Sequence, residues 1–345
     1  MMKQRSIVDM AFTLRDIAAL SGYSIATVSR VLSGKPGVNK DTREKILSLA
    51  KSLDFKVNYN ARSIKTHRTR TIGLVVADIT NQFYSEIAKT IEFQARHLDY
   101  TVIVGNTGNN TKEELSIIEA FQERQVDGFI FASAEINDRG VINLIEQGIP
   151  TILYHRHLKQ GIKHHFVGCD EYKGIALGIE HLASLGHKRV GFICGSKDFS
   201  TGIERMKAFM KLRSEYGLEA NNNLIKEGGY DIAKTNRSVY ELMRIPDPPT
   251  AIFAANDLMA LQVMDKVIEM GYRVPEDVSV LGFDNIPIAS HQRISLTTVD
   301  IQINRGARET VLNLINLIEG IGTGKDLVNV ILEPGMVVRN STASR

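Results

Sequence analysis

Two short helices joined by a tight turn are predicted by the segment Thr13-Leu14-Arg15-Asp16-Ile17-Ala18-Ala19-Leu20-Ser21-Gly22-Tyr23-Ser24-Ile25-Ala26-Thr27-Val28-Ser29-Arg30-Val31-Leu32. Apolar residues recur there at helical spacing, at Ile17, Ala18, Val28 and Leu32. Gly22 supplies the backbone freedom that a sharp corner requires, and Ser24 can cap the second helix. The outward residues of that helix are small, hydroxylated or apolar, with one guanidinium: Ile25, Ala26, Thr27, Ser29 and Arg30. This face suits a helix in a DNA major groove, although the spacing alone also fits an ordinary helical hairpin.

Positive charge is concentrated in the same part of the chain. The formal net charge is only +3. Residues 1–70 contain 14 Lys and Arg against 5 Asp and Glu, whereas residues 71–345 contain 28 against 34. A basic segment at residues 1–70 can neutralise DNA phosphates. Because residues 71–345 are mildly acidic, a general affinity of the whole protein for acidic surfaces is not expected.

Length and composition indicate a globular protein with a sizeable, two-lobed core. The chain has 345 residues, of which 43% are hydrophobic and 23% charged. No apolar run approaches the roughly 20 residues of a membrane helix, and residues 1–12 do not resemble a secretory signal, so we expect a cytoplasmic protein without a membrane partner. Residues 1–12 are interpreted as an N-terminal tail, either a basic arm or a stretch that precedes a true start at Met10. Cys169 and Cys194 are too few for a disulfide framework and are expected to be reduced.

From Thr13 to Arg30 the sequence closely resembles the DNA-binding segment of the LacI family of bacterial transcriptional regulators. The shared features are the Thr-Leu-x-Asp-Ile-Ala start, the Gly-x-Ser turn and the Thr-Val-Ser-Arg-Val-Leu second helix, with Tyr23 where a small apolar residue is common. A third helix over 41–53 completes a helix-turn-helix domain at residues 13–57. The resemblance implies that the DNA major groove and phosphates are bound by Thr13, Ser24, Ile25, Ala26, Thr27, Ser29, Arg30 and Asn39.

Residues 58–70 correspond to the family's hinge helix and linker. In the family this helix orders on operator DNA, pairs with the same helix of the dimer partner and inserts an apolar lever into the minor groove. Ile64 replaces the usual Leu lever, and Val57 replaces the usual Pro, whose fixed φ angle would pre-organise the hinge. The resemblance implies a homodimer and minor-groove contacts from Ala61, Arg62 and Ile64.

From residue 71 onward, apolar strands alternate with helices. Strands are predicted at 71–77, 101–105, 128–132 and 150–154 and, after a fresh start at residue 170, at 189–194, 224–227, 251–254 and 278–282. Strands that are apolar throughout indicate parallel sheets covered on both faces. Two such rounds predict two doubly wound α/β subdomains, with a ligand cleft between the carboxyl ends of their strands. A long helix at 303–318 and an extended segment at 327–338 follow.

This architecture resembles the periplasmic-binding-protein fold of the LacI-family core. The stretches that carry the resemblance are Asp78–Tyr84, Val126–Gly128, Gly186–Gly191, Asn256–Asp257 and Gly282–Asn285. The expected core is residues 71–345. We expect one subdomain to contain 71–165 with 299–325, and the other to contain 166–298 with 326–340.

The same resemblance implies an effector site in the cleft. Aromatic side chains after the first strand would cover the effector, and Arg205 and Asp284 would form charge-assisted hydrogen bonds with it. Asp257 fits a helix cap equally well. His155 departs from the Asp that often precedes the family's Arg at that strand end. The full set of expected effector-binding residues is Asp78, Phe83, Tyr84, Ser133, His155, Arg156, Phe199, Thr201, Arg205, Tyr230, Asn256, Asp257 and Asp284.

Other classes of function are less well supported by the sequence. A metal site is one interpretation of four histidines that lie close in sequence, His155, His157, His164 and His165. They do not include the His-x-x-x-His pair on a helix that is typical of metal ligands. No nucleophile elbow, P-loop or glycine-rich dinucleotide loop is present, so we expect no enzyme and no cofactor. A solute receptor shares the core fold, but the attached DNA-binding segment argues against it. An enzyme of sugar metabolism would need a catalytic constellation that the sequence does not show.

The sequence therefore predicts a cytoplasmic, homodimeric DNA-binding regulator, with a repressor favoured. Its operator affinity would depend on a small effector bound in the cleft. Candidate carboxylates favour a sugar or amino sugar over a nucleobase. Effector identity, operator sequence, activation against repression, and dimer against tetramer stay open at this point.

Overall fold

The computed structural model describes residues 12–32, 34, 36–55, 68–322 and 326–345. The chain divides into two compact units, Met1–Thr69 and Arg70–Arg345.

The first unit contains α1 (Leu14–Ser21), α2 (Ile25–Leu32) and α3 (Lys40–Ser52). Helix α1 begins at a capping box, in which Thr13 and Asp16 each accept a hydrogen bond from the other's backbone N–H. It ends at Gly22, whose φ of 74° lies in the left-handed region that glycine adopts without strain. The predicted turn between two helices is therefore present, with a glycine at its corner.

A small apolar core holds these three helices together. Its buried members come from all three: Ile17, Ala18, Val28, Val31 and Ile46. Tyr23, the departure from the family pattern, packs against this core, and its hydroxyl accepts a hydrogen bond from Thr42 at 3.4 Å. Tyr23 thus ties the turn to α3.

The second unit is an α/β structure. Its strands are β1 (Thr71–Val76), β2 (Thr101–Asn106), β3 (Gly128–Phe131), β4 (Thr151–Tyr154), β5 (His165–Cys169), β6 (Val190–Cys194), β7 (Ile225–Glu227), β8 (Ala251–Ala254), β9 (Ser279–Asp284), β10 (Thr297–Asp300), β11 (Asn329–Leu332) and β12 (Gly335–Val337). Its α-helices are α4 (Gln82–His97), α5 (Thr111–Glu123), α6 (Arg139–Glu146), α7 (Glu171–Ser184), α8 (Ser200–Glu215), α9 (Ile232–Leu242), α10 (Asp257–Glu269) and α11 (Ile303–Glu319).

Two six-stranded sheets are formed by the described residues of this unit. The first has the order β11-β5-β4-β3-β1-β2 and is parallel throughout. The second has the order β12-β10-β9-β8-β6-β7 and is parallel except for the antiparallel pair of β12 with β10. Strands such as β3, β4 and β8 are buried along their whole length, as expected for sheets covered by helices on both faces.

The predicted subdomain boundaries were wrong at three places. Strand β5 and strand β11 lie in the first sheet, so residues 166–169 and 329–332 do not belong to the second subdomain. Strand β10 lies in the second sheet, so residues 299–300 do not belong to the first. β5 and β10 are short strands that pair with β4 and β9, the strands before them in the sequence, whereas β11 pairs with the distant β5. Local hydrophobic patterning does not specify which sheet such short strands join. The chain therefore crosses between the subdomains after β5, after β10 and after β11.

Candidate functional site

Helix α2 presents an exposed face beside its buried one. Val28 and Val31 are buried, whereas Ile25 is 47% exposed and Ala26 and Arg30 are also exposed. The residue before the helix, Ser24, accepts a hydrogen bond from the N–H of Thr27 at 3.1 Å. An exposed apolar residue, a small residue and a guanidinium on one short helix can enter a major groove and contact base edges.

Three of the predicted DNA contacts are helix caps. Thr13, Ser24 and Asn39 use their side chains to accept backbone hydrogen bonds at the starts of α1, α2 and α3. These helix starts carry free N–H groups and a partial positive charge, which bind phosphates well.

In the second unit, a cavity of about 100 Å³ lies between the carboxyl ends of the two sheets. Ten of the predicted effector residues line it: Asp78, Phe83, Tyr84, His155, Arg156, Thr201, Arg205, Tyr230, Asn256 and Asp284. They follow strands of both sheets or lie on the helices after them. The cavity is therefore shared by the two subdomains.

Arg205 is the central charged group of this cavity, and it is only 1% exposed. Its Nε donates to Glu171 at 2.5 Å, and its Nη2 donates to Asp284 at 3.3 Å. Its Nη1 donates to the carbonyl oxygen of Ala255, and the Phe283 ring lies 3.7 Å below the guanidinium. Burial alone would lower the pKa of Arg205, but the charges of the two carboxylates outweigh it and raise that pKa. Arg205 is thus a permanent cation whose donors are largely occupied.

His155 connects this cluster to the first subdomain. Its Nε2 lies 3.1 Å from Nη2 of Arg205, and its Nδ1 lies 3.6 Å from Oε1 of Glu171. Burial and the charge of Arg205 hold the pKa of His155 well below its ordinary value, so the ring is neutral at physiological pH. Because Arg205 can only donate, Nε2 accepts and the proton lies on Nδ1, facing Glu171.

Arg156, the other arginine of the cavity, has different surroundings. Its Nη1 donates to the Ser133 carbonyl oxygen and its Nη2 to the Tyr84 hydroxyl, each at 2.8 Å. The Phe199 ring from the second subdomain lies 3.7 Å from the guanidinium. Among the described residues no carboxylate lies within 4 Å of Arg156. Arg156 therefore offers charge and N–H donors to a ligand.

Several cavity residues have unusual backbone conformations. His155, Tyr230 and Asp284 have φ angles of 71°, 62° and 118°, in the region that side chains other than glycine rarely adopt. A side chain at Gly195 would overlap the Tyr230 ring, so glycine there allows Tyr230 to reach Thr201, 3.2 Å away between hydroxyl oxygens. Such strain is concentrated at binding sites, where the surrounding fold supports it.

Another cavity, of about 410 Å³, lies beside the crossover after β10. Its polar side chains already bond to protein groups: Arg339 donates to Asn285, Arg305 donates to Gln302, and Asn304 accepts from Thr90. The cavity at the strand ends has more polar groups available to a ligand and is the better candidate site.

Comparisons with known proteins agree with this geometry. Residues 13–58 match the model of "Bacterial regulatory proteins, lacI family", and residues 179–342 match that of the "Periplasmic binding protein-like domain". The NTD biosynthesis operon regulator NtdR of Bacillus subtilis (strain 168) is 30% identical over 335 residues, covering 96% of this chain and 99% of that relative.

The chain belongs to the LacI family of bacterial regulatory proteins. It is accordingly a DNA-binding transcriptional regulator with an effector-binding core. A solved complex of the transcriptional regulator CelR with cellobiose matches with a TM-score of 0.72 and 28% identity, covering 96% of this chain and 99% of that one. The Lac repressor dimer bound to operator and the anti-inducer ONPF shares the fold, with a TM-score of 0.83, 24% identity and coverage of 97% and 100%.

Three predicted effector residues of this LacI-family chain do not line the cavity. Ser133 and Phe199 contact Arg156 instead. The Ser133 carbonyl oxygen accepts a hydrogen bond from Arg156, and the Phe199 ring packs against its guanidinium. Asp257 is fully buried and accepts from the Thr298 hydroxyl and the Ile286 N–H. Burial raises the pKa of Asp257 to about 7. The helix cap is Asn256, so the helix-cap interpretation of Asp257 was wrong, and Asp257 does not line the cavity.

The structure adds residues that the sequence did not indicate. The additional lining residues are Asn81, Asn109, Asp231, Ile232, Thr235, Leu258, Met259 and Gln262. Glu171, the first residue of α7, neutralises Arg205 from outside the lining. Asp231 could have been found as a polar residue before a helix, but no local signal marks Glu171 as the partner of a residue 34 positions away.

The predicted minor-groove contacts Ala61, Arg62 and Ile64 lie outside the described residues. In the part of the chain that the structure describes, no group of three or more His, Cys, Asp or Glu side chains could hold a metal ion. None of the helices in that part is long and apolar enough to cross a membrane.

Proposed function

We propose that the protein is a repressor that binds operator DNA as a homodimer and that a sugar or amino sugar in the cleft controls its operator affinity. The observation that carries the proposal is the cavity itself, because both subdomains line it and Arg205 of one bonds to His155 of the other. A ligand there contacts both subdomains at once, and its binding energy depends on their closure angle.

On the DNA side, we assign base contacts to Ile25, Ala26 and Arg30, whose side chains are exposed on α2. The helix starts capped by Thr13, Ser24 and Asn39 bind phosphates. Thr27 and Ser29, which belong to α2, contact the DNA beside them. Ala61, Arg62 and Ile64 of the hinge contact the minor groove, with Ile64 as the wedge. These assignments follow the family resemblance and the exposure of α2.

On the effector side, the chemistry favours a hydroxylated ligand with or without an amine. Hydroxyl and amide groups of Thr201, Tyr230 and Asn256 border the cavity, and so do the carboxylates of Asp78 and Asp231. Among the described residues these two carboxylates have no Lys or Arg within 4 Å, so they can bind ligand hydroxyl or ammonium groups. The similarity to a regulator solved with cellobiose supports a sugar. The relative NtdR is a regulator, which supports a non-catalytic role.

Control of DNA binding follows from linkage. Closure of the cleft changes the separation of the two hinge segments at 58–70 in a dimer, and thus the energy of placing two headpieces on one palindromic site. The effector must change operator affinity by the same factor by which operator changes effector affinity. The proposed place of action is the cytoplasm, where operator DNA is found.

The DNA part is tested by selecting binding sites from random duplex DNA and measuring affinity for the selected site and for unrelated DNA. Arg30→Ala is expected to cost about 1–3 kcal/mol on the selected site only. The matched control is Lys51→Ala, an exposed cation on α3, which should weaken both DNAs alike. Equal losses on both DNAs for Arg30→Ala would remove its base-reading role.

The effector part is tested by a thermal-shift screen with D-glucose, D-galactose, D-glucosamine and cellobiose. A ligand present at 100 times its dissociation constant adds about 2.7 kcal/mol of apparent stability. At least one of these is expected to stabilise the protein. A nucleobase or nucleoside that stabilises it while all four sugars fail would overturn the sugar assignment.

A further inference from the structure

The two subdomains touch each other directly across the cleft. Ile136 of the first donates its N–H to the carbonyl oxygen of Asp198 of the second at 2.9 Å, and His157 donates its N–H to the Ser200 hydroxyl at 2.8 Å. The cavity between the subdomains measures about 100 Å³, well below the roughly 300 Å³ at which pockets for small organic ligands begin. The structure is therefore a closed form, and a ligand of ordinary size enters only after these contacts separate.

One contact across the cleft depends on the protonation of a histidine. Arg205 of the second subdomain donates to Nε2 of His155 of the first at 3.1 Å, and both side chains are buried. The N–H of His155 donates to the carbonyl oxygen of Val167 at 2.8 Å, which fixes the backbone of His155 to strand β5 of the first subdomain. The contact requires a neutral ring, because a protonated Nε2 carries a hydrogen and cannot accept from a guanidinium.

The surroundings of the ring keep it neutral in the closed form. Glu171 lies 3.6 Å from Nδ1, but burial and the positive charges of Arg205 and Arg156 outweigh it and hold the pKa of His155 well below the ordinary value. Burial also raises the pKa values of the tyrosines of this region, which therefore stay neutral. The charged and titratable groups around the ring are Arg205 of α8, Glu171 of α7, Asp284 of β9, the chain neighbours Tyr154, Arg156 and His157, and the cavity residues Tyr84 and Tyr230.

We propose that His155 and Arg205 form a proton-sensitive latch between the subdomains, in which neutral His155 keeps the cleft closed and uptake of a proton by His155 opens it. The latch acts without a ligand and does not depend on which effector the cleft binds. An aspartate, which often stands at this position in the family, has an ordinary pKa near 4 and would not respond in this way between pH 5.5 and pH 7.5.

The direction of the response follows from linkage. Opening the cleft separates His155 from Arg205 and admits water, which returns the pKa of His155 towards its ordinary value of about 6.5. The open form then binds a proton more readily than the closed form, so a lower pH favours the open form. The ratio of closed to open molecules should fall by up to about tenfold for each pH unit below 6.5.

Single-molecule fluorescence energy transfer on the full chain counts closed and open molecules. The dyes are attached through Lys112→Cys on α5 and Lys197→Cys after β6, two exposed positions on different subdomains. Cys169 and Cys194 are buried and are expected to stay unlabelled. A large excess of unlabelled protein restricts the signal to a single chain of a dimer.

Between pH 7.5 and pH 5.5 the closed-to-open ratio of the wild type is expected to fall about tenfold. Ser200→Ala removes one of the other bonds across the cleft, so it raises the open population to a countable level and should show the same fall. His155→Gln keeps an acceptor for Arg205 but cannot titrate, so its ratio should change much less. The matched control His291→Gln replaces an exposed histidine of the second subdomain and should follow the wild type.

Two results would overturn the latch. One is a ratio that does not change with pH in the wild type and in Ser200→Ala. The other is an equal fall in His155→Gln, which would assign the response to other groups such as Glu171 and Asp284. Circular dichroism at each pH is expected to stay constant, and a fall in energy transfer that accompanies loss of helical signal is unfolding and also counts against the latch.

Discussion

The two arginines of the cleft lie on opposite walls and have opposite surroundings. Arg205 of the second subdomain is bonded to two carboxylates, a carbonyl oxygen and a histidine. Arg156 of the first subdomain is bonded to two neutral oxygens and packs on an aromatic ring. Ser133, whose carbonyl oxygen accepts from Arg156, donates its hydroxyl to the Glu114 carboxyl at 2.5 Å.

Protonation of Glu114 increases the difference in charge between the surroundings of Arg156 and those of Arg205. Burial and the neighbouring Asp138 raise the pKa of Glu114 to about 9, so this carboxyl is neutral near pH 7. Glu114 therefore does not neutralise the positive charge of Arg156, whereas Glu171 and Asp284 lie within 4 Å of Arg205. Arg205 organises the site and joins its two halves, and Arg156 has the charge and donors left for a ligand.

The largest effect is expected for Arg205→Ala. It leaves Glu171 and Asp284 buried without their cation, which costs about 3–5 kcal/mol of the free energy of unfolding. Urea denaturation measures this loss. The matched control is Arg273→Ala, which breaks an exposed ion pair with Asp277 and should lower the free energy of unfolding far less. Similar losses for both variants would show that the buried cluster does not depend on Arg205.

A smaller loss is expected for Glu171→Gln. The amide oxygen still accepts a hydrogen bond from Arg205, and Asp284 still neutralises part of its charge. A lost charge-assisted hydrogen bond costs about 1.5–3 kcal/mol. Urea denaturation of Glu171→Gln and Arg205→Ala shows which variant loses more of the free energy of unfolding. If Glu171→Gln equalled or exceeded the loss in Arg205→Ala, Glu171 would be the organising residue instead.

Arg156→Ala tests the other wall. It removes two hydrogen bonds to neutral groups and one cation–π contact, so the loss of stability should be about 1–2 kcal/mol. Its main effect should be on ligand binding, measured by calorimetry with whichever sugar stabilises the wild type. An affinity unchanged from wild type would place the ligand away from Arg156.

The smallest effect at pH 7 is expected for Glu114→Gln, because glutamine resembles the protonated carboxyl that is already present. The folded state holds this proton up to about pH 9, whereas the unfolded chain releases it near pH 4.5. The stability that the proton contributes is therefore lost as the pH rises towards 9. Between these two pKa values, the free energy of unfolding of the wild type should fall by about 1 kcal/mol for each unit of rising pH, relative to that of Glu114→Gln.

Denaturation curves from pH 5 to pH 9 measure this difference. Glu113→Gln changes an exposed neighbour on the same helix and should follow the wild type at every pH. A constant difference between wild type and Glu114→Gln across this range would mean that Glu114 is ionised in the folded state.

Local sequence patterns predicted most of the fold and the part of the cleft that follows strands. Asp78 and Arg156 follow shortly after apolar strands of the first sheet, and Asp284 ends a strand of the second, so all three lie at carboxyl ends of strands. The family resemblance indicated Asp284 as an effector residue. Strands β5 and β10 were missed because their sequences show no regular apolar pattern. His165 of β5 and Thr298 of β10 are examples of the polar residues that interrupt it. β5 joins the sheet of β4 and β10 joins that of β9, in each case the strand that precedes it in the sequence.

Other features of the site depend on distances that no local pattern encodes. Glu171 reaches Arg205 only after α7 and α8 have packed together. The family resemblance implied that Phe199 contacts the effector, yet its ring packs on Arg156 and does not line the cavity. The exposure of Ile232 and Leu258 beside the cavity likewise follows from how α9 and α10 meet it.

Reciprocal titration measures whether the effector cleft and the operator-binding headpiece are coupled. Fluorescence anisotropy gives the affinity of the selected operator with and without a saturating stabilising sugar, and calorimetry gives the sugar affinity with and without operator. If the two sites are coupled, both affinities change by the same factor and Arg156→Ala weakens the response to sugar. A sugar that binds the cleft and leaves operator affinity unchanged would contradict it.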